Sequence, residues 1–192
     1  MERLSAARKV WATLALACAL MFVSAHVVAA PSPPQNTTEE YKVKAVFLFH
    51  FAQFVEWPAN NFSDEGAPLV IGVLGEDPFG VYLDQVVANE VINGHPLEVR
   101  RFNRPEEISS CHILFISGEG HGQLRSSLRA IQDQAVLTVG DSPAFIRAGG
   151  IIRFFSEESK VRLQINPEAA RASGLTISSK LLRLADISIP KT

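Results

Sequence analysis

The first place in the sequence where chemistry could occur is the run Gly118-Glu119-Gly120-His121-Gly122. It follows a strand-like stretch and precedes a helix-like one, so its backbone amides could cradle an anion. Asp141 closes the next strand-like stretch, about where a dinucleotide fold keeps its ribose-binding acid. The spacing, however, is G-x-G-x-G rather than G-x-G-x-x-G, and the loop belongs to a later unit than that fingerprint requires. It reads as a glycine-rich exit from a strand. The histidines do not gather. Cys111 and His112 are adjacent, and on a strand they point to opposite faces. His95 sits in the turn Asn93-Gly94-His95-Pro96, and His121 in the glycine run. His50 lies among phenylalanines of a helix and reads as a partly buried structural residue. No pair has the i, i+4 spacing of helical metal ligands, and no G-x-S-x-G nucleophile elbow occurs. Glu157 and Glu158 fall at a hairpin tip, where a solvated turn is the simpler reading than an acid–base pair. The residues therefore predict no catalytic site, no metal and no cofactor.

The elements that carry these residues alternate. From Glu39 to Trp57 no Gly or Pro interrupts the chain, and Val43, Val46, Phe47, Phe51, Phe54 and Val55 recur at helical spacing. This helix is apolar on more than one side, so it must be buried between layers or covered by a partner. Leu69 to Leu74 is a continuous apolar run, as in a strand buried on both faces. Asp77 and Pro78 start a helix reaching about Asn89. Strands are expected at 97–102, 112–117 and 135–139, with a helix over 123–132 and a short one from Ser142-Pro143 to Gly149-Gly150. Residues 150–155 and 160–165 are two strands on a short polar turn, hence an antiparallel hairpin. Asn166 caps a short helix with Pro167 first and Gly174 at its end. Thr176 to Asp186 is read as a final helix with Ile177, Leu181 and Leu184 inward. The pattern predicts one α/β domain: a three-layer α-β-α sandwich with a mostly parallel sheet and a C-terminal antiparallel hairpin.

The chain has 192 residues, 47% hydrophobic and 20% charged, with a net charge of −2. No basic field marks a nucleic-acid binder. Arg3, Arg8 and Lys9 precede an uncharged stretch from Val10 to Ala30 that closes on Ala25, Ala29 and Ala30. Residues 1–29 read as a secretory signal peptide cut after Ala29, with Val27 at the −3 place. Residues 30–38 are a flexible entry, and 39–192 form the single domain. Losing the leader removes Arg3, Arg8, Lys9 and Glu2, so the net charge falls to −4. Cys18 also leaves. Cys111 remains alone beside Ile113, Leu114 and Phe115, and burial at the start of a strand is expected.

Two stretches carry a resemblance. One is Phe51-Ala52-Gln53-Phe54-Val55-Glu56-Trp57-Pro58. The other is the tail: Gly150-Ile151-Ile152, the hairpin, Ile165-Asn166, Ala169, Gly174-Leu175, Ile177-Ser178-Ser179, Leu181-Leu182 and Leu184-Ala185. In that order, behind a leader, they resemble the YfiR family of exported bacterial proteins over roughly residues 39–189. The resemblance implies a periplasmic α/β sandwich without catalytic activity. It also implies a regulator that binds the periplasmic sensor domain of an inner-membrane diguanylate cyclase and holds it inactive, lowering cyclic di-GMP, and that tends to form a homodimer. It places the partner contact on the segment from Gln164 to Arg171, with Gln164, Glu168, Ala169 and Arg171 as the contact residues and Ile165 as an anchor in the core. The sequence departs from the family in its cysteines. Better known members carry redox-sensitive pairs; here Cys111 matches one such cysteine, while Val70, Ile71 and Val73 stand where its partner is expected. No intramolecular disulfide is available to the mature chain. The competing reading is a small-ligand sensor or carrier feeding a transporter or histidine kinase. It would use the loops Gly75–Gly80 and Gly118–Gly122 at the strand ends.

Overall fold

The computed structural model describes residues 35–118 and 121–187. The leader assigned to residues 1–29 lies outside them. A long helix, α1 (Gln35–Phe54), is followed by a two-residue strand, β1 (Val55–Glu56). Then come β2 (Leu69–Leu74), α2 (Val81–Val87), β3 (Val91–Ile92), β4 (His95–Phe102), β5 (Ile113–Ile116), α3 (His121–Ala130) and β6 (Leu137–Gly140). The last third contains β7 (Ile152–Glu157), β8 (Lys160–Ile165), α4 (Pro167–Ala172), β9 (Thr176–Ile177), α5 (Ser179–Leu182) and β10 (Asp186–Ile187).

Eight strands form one sheet in the order β10-β8-β7-β6-β5-β2-β4-β3. The centre, β4-β2-β5-β6-β7, is parallel throughout. β8 pairs antiparallel with β7, and β10 lies parallel to β8 at the edge. The central strands are buried at every position because layers cover both faces. Ile71, Val73, Ile113 and Phe115 join Leu48 and Phe51 of α1 and Leu83 and Val87 of α2 in one core. The intervening Val70, Leu74, Leu114 and Ile116 join Leu124 and Leu128 of α3 in a second. Two cores on opposite faces of one sheet make the three-layer α-β-α sandwich, as the alternation of elements predicts.

Several elements differ from expectation. α1 gives way at Val55, because Val55 and Glu56 pair antiparallel with Ile177 and Thr176. Asp77 does accept from the Phe79 and Gly80 amides (2.8 and 3.2 Å), but regular helix starts only at Val81. Residues 142–150 are a string of turns, not a helix. They wrap Phe145, whose ring lies so close to Gly140 and Gly150 that a Cβ at either would sit 2.4 or 2.2 Å from it. The final helix expected over 176–186 is four residues long. Thr176 and Ile177 are taken by strand pairing, and Ser178 donates its amide to the Phe54 carbonyl (2.8 Å) and caps α5 through its hydroxyl. Leu184, expected inward, is 68% exposed. His50 is also exposed rather than partly buried, with its ring against Phe49.

Candidate interaction site

α1 runs across one face of the sheet, opposed to the parallel strands. At its far end Trp57 donates from Nε1 to the His112 carbonyl (3.1 Å), at the start of β5. At its near end Tyr41 and Lys44 meet Asp141, which follows β6. The Tyr41 hydroxyl and the Lys44 ammonium both donate to Asp141 Oδ2, each at 2.8 Å. Lys44 is 3% exposed, also pairs with Glu40 at 2.8 Å, and sits 4.1 Å from the Tyr41 ring centre. So deep an ammonium is tolerable only because two carboxylates and an aromatic face surround it. Burial, and then the Asp141 charge, hold the Tyr41 phenol well above the usual range.

This network occupies a particular place. Successive crossovers leave β2 and β5 in opposite directions, and open α/β sheets bind ligands at the carboxyl ends of such a strand pair. Here the rings of Tyr41, Phe79 and Phe115 pack edge-to-face over that position, with centres 4.8–6.5 Å apart. The part of the crevice within the described residues is filled by side chains. Glu119 and Gly120 of the glycine loop lie outside those residues, and Gly118 has a positive φ of 56°.

The segment Gln164–Arg171 runs from the carboxyl end of β6, where Gln164 pairs with Arg153 and Arg153 with Gly140, to α4 at the other end of the sheet. Ile165 is fully buried, as its anchoring role requires. Asn166 caps α4, its Oδ1 accepting from the Ala169 amide (3.1 Å), and Pro167 takes the first helical position. A single capped turn presents its residues in different directions. Glu168 and Arg171 are exposed, and neither forms an ion pair among the described residues. Ala169 and Ala172 face α3 across an apolar groove of about 210 Å3 floored by Leu128, Ile131 and Val136. That groove meets a polar cleft of about 570 Å3 bordered by Pro58, Asn61 and Asp133, with Gln132, Ala172 and Ser173 common to both. Gln164 stands apart on β8, its Oε1 accepting from Arg153 Nη1 (3.2 Å). The four expected contact residues are not brought together: Glu168, Ala169 and Arg171 lie on α4, while Gln164 is half-buried against Arg153 near Gly140.

Sequence reasoning missed Arg153. It is half-buried, lies near the Phe155 ring, pairs across strands with Gln164 and has no carboxylate within ion-pair range among the described residues. The signal was present, because a two-residue hairpin turn at Glu158-Ser159 sets Glu157 opposite Lys160 and therefore Arg153 opposite Gln164. Tyr41 and Lys44 carried no local signal, since their partner is about a hundred residues away.

Architecture and strand order define the chain as a three-layer α/β sandwich with a mostly parallel sheet. The YfiR/HmsC-like family matches residues 41–186, from the first ring of the plug to the last strand, and the chain is a member of that family. The family is one of periplasmic regulators connected with diguanylate cyclases. No match was found among curated proteins.

Proposed function

We propose that this protein, after export, binds the periplasmic sensor domain of an inner-membrane diguanylate cyclase, holds the enzyme inactive and so lowers cyclic di-GMP. The observation that carries the proposal is the family match, which spans nearly all of the described domain. Two features support it. Among the described residues, the rings of Tyr41, Phe79 and Phe115 occupy the strand ends that a small-ligand carrier of this architecture would use, which favours a protein-binding role. On α4, Glu168 and Arg171 are exposed without an ion pair among the described residues, and Ala169 lines an apolar groove, the mixture found at protein–protein contacts; Gln164 extends the proposed contact along β8. The working unit is a homodimer, which sedimentation of the purified protein checks.

Glu168→Lys tests the contact. The side chain is exposed, so the fold should change by no more than about 0.5 kcal/mol. At an interface the reversed charge must be desolvated against the partner, and inhibition should fail. Cellular cyclic di-GMP and the melting temperature of the purified variant are read together. Raised cyclic di-GMP with unchanged melting is the expected result. If both are unchanged, Gln164–Arg171 is only a connector between the hairpin and α5.

A further inference from the structure

Three aromatic rings are stacked at the end of the sheet opposite the Tyr41 plug. Phe62 lies between His95 (ring centres 3.8 Å, planes 14° apart) and His112 (4.4 Å, 22°). These contacts hold the segment Trp57–Ala67 against the sheet. Its other ties are Trp57 Nε1 to the His112 carbonyl, Asn61 Nδ2 to the Ala135 carbonyl (3.2 Å), and His95 Nδ1 to the Ala67 carbonyl (2.7 Å). The two histidines are used differently. His95 Nδ1 carries a proton to the Ala67 carbonyl, a bond that survives whether the ring is neutral or charged. His112 Nδ1 instead accepts the Val70 amide (3.1 Å), which requires that nitrogen to be unprotonated. His112 is 2% exposed, and its Nε2, which must carry the proton in this tautomer, has no hydrogen-bond partner in the structure.

We propose that His112 is an acid-sensitive latch: protonation of its ring releases the segment Trp57–Ala67 from the end of the sheet and widens the polar cleft beside Pro58 and Asn61. A second proton on the ring turns Nδ1 into a donor facing the Val70 amide, so that bond is lost. It also leaves a cation in a site almost closed to water. No compensating charge is at hand. β4 contributes His95 and Arg100, both of the wrong sign, and β5 contributes the Cys111 thiol, while β2 offers only the Val70 backbone. The segment itself presents Trp57, Asn61 and Phe62, with its Asp64 and Glu65 exposed to solvent. No carboxylate lies within ion-pair range of the ring among the described residues. Burial, opposed by the Asn61 backbone and reinforced by His95 and Arg100, pulls the His112 pKa down to about 4. In an open segment the ring returns to about 6.5. The open form therefore binds more protons between those values, and acid favours it. The full effect on the opening equilibrium is about 300-fold, complete only below pH 4. The latch requires no partner, so it stands or falls independently of the cyclase proposal.

Amide hydrogen exchange of the whole protein at pH 7 and pH 4.5, corrected for intrinsic rates, tests the latch. Protection at Phe62, Ala67 and Val70 should fall by roughly 60-fold from pH 7 to pH 4.5, while Leu114 and Val139 in the central strands keep theirs. In His112→Asn, whose side-chain oxygen can accept the Val70 amide but does not titrate, the pH-dependent loss should vanish. Ring-nitrogen NMR of His112 in the unaltered protein gives a second reading that needs no variant to fold, and its protonation should track the loss of protection. The proposal is overturned if the segment keeps its protection, if the central strands loosen with it, if His112→Asn loosens equally, or if the segment opens while the His112 ring remains neutral.

Discussion

The Cys111 thiol donates to the Ile113 carbonyl (3.1 Å) and its sulfur fills the space above Gly72, where a Cβ would lie only 2.8 Å away. Burial pushes the thiol pKa up to about 12, so at pH 7 almost no thiolate is present to react. Native protein should react with a thiol reagent no faster than it opens, whereas denatured protein should react at once. Cys111→Ser should cost only about 1 kcal/mol, because the hydroxyl inherits the Ile113 acceptor and is not left unpaired. Gly72→Ala should be the worse change. Its methyl would press on Cys111, Phe102 and Leu114, all within 2.9 Å, in a strand centre with no room to move, at a cost of about 1–3 kcal/mol. Urea denaturation of the two variants checks the order.

The hairpin β7–β8 turns through Glu158 and Ser159, whose φ angles of 49° and 60° lie in the left-handed region. Two such residues make the turn that matches strand twist, but neither Glu nor Ser favours the conformation; Asn-Gly does. Replacing the pair by Asn-Gly should stabilise the domain by about 1 kcal/mol, seen as a higher melting temperature, without shifting the register that sets Arg153 opposite Gln164. The short elements β1 and β9 follow a different logic. Neither would persist alone, and each exists because the other chain segment passes alongside, tied further by the Ser178 amide to Phe54. The same pairing shortens the helix at both places where sequence periodicity extends it.

At the scale of the whole molecule, α1 is pinned at one end by Lys44 and Tyr41 to Asp141 and at the other by Trp57 to His112. Lys44→Met should be costly beyond its lost packing, because Asp141 and Glu40 would remain beside an apolar chain. A loss of about 3 kcal/mol is expected from breaking such a buried pair. Adding Asp141→Asn should recover part of it, and a double-mutant cycle by urea denaturation measures the coupling. Reading residues 1–29 as a signal peptide predicts export of the same domain to the periplasm. Cell fractionation with N-terminal sequencing should find a product beginning at Ala30 or Pro31, and a membrane-bound chain retaining the leader would contradict it. No helix among the described residues is long and apolar enough to cross a membrane.

The parallel core was legible because its signals are local. A strand covered on both faces must be apolar at every position, as Leu69–Leu74 is, and Asn166-Pro167 writes a helix start into two adjacent residues. Burial of Cys111 follows from its apolar neighbours in the same way. The final helix misled because Ile177, Leu181 and Leu184 have helical spacing, yet backbone pairing with Val55–Glu56 outweighs a weak local preference. Leu184 was left in solvent as a result. The proposed contact residues follow only from the resemblance, since exposed residues such as Glu168 and Arg171 obey no burial periodicity. The tertiary structure alone decided that the rings of Tyr41, Phe79 and Phe115 meet at the strand ends and that His112 accepts a backbone amide beneath Phe62. Both depend on side chains from segments far apart in the chain, and their charge states are set by burial that exists only once the layers have closed.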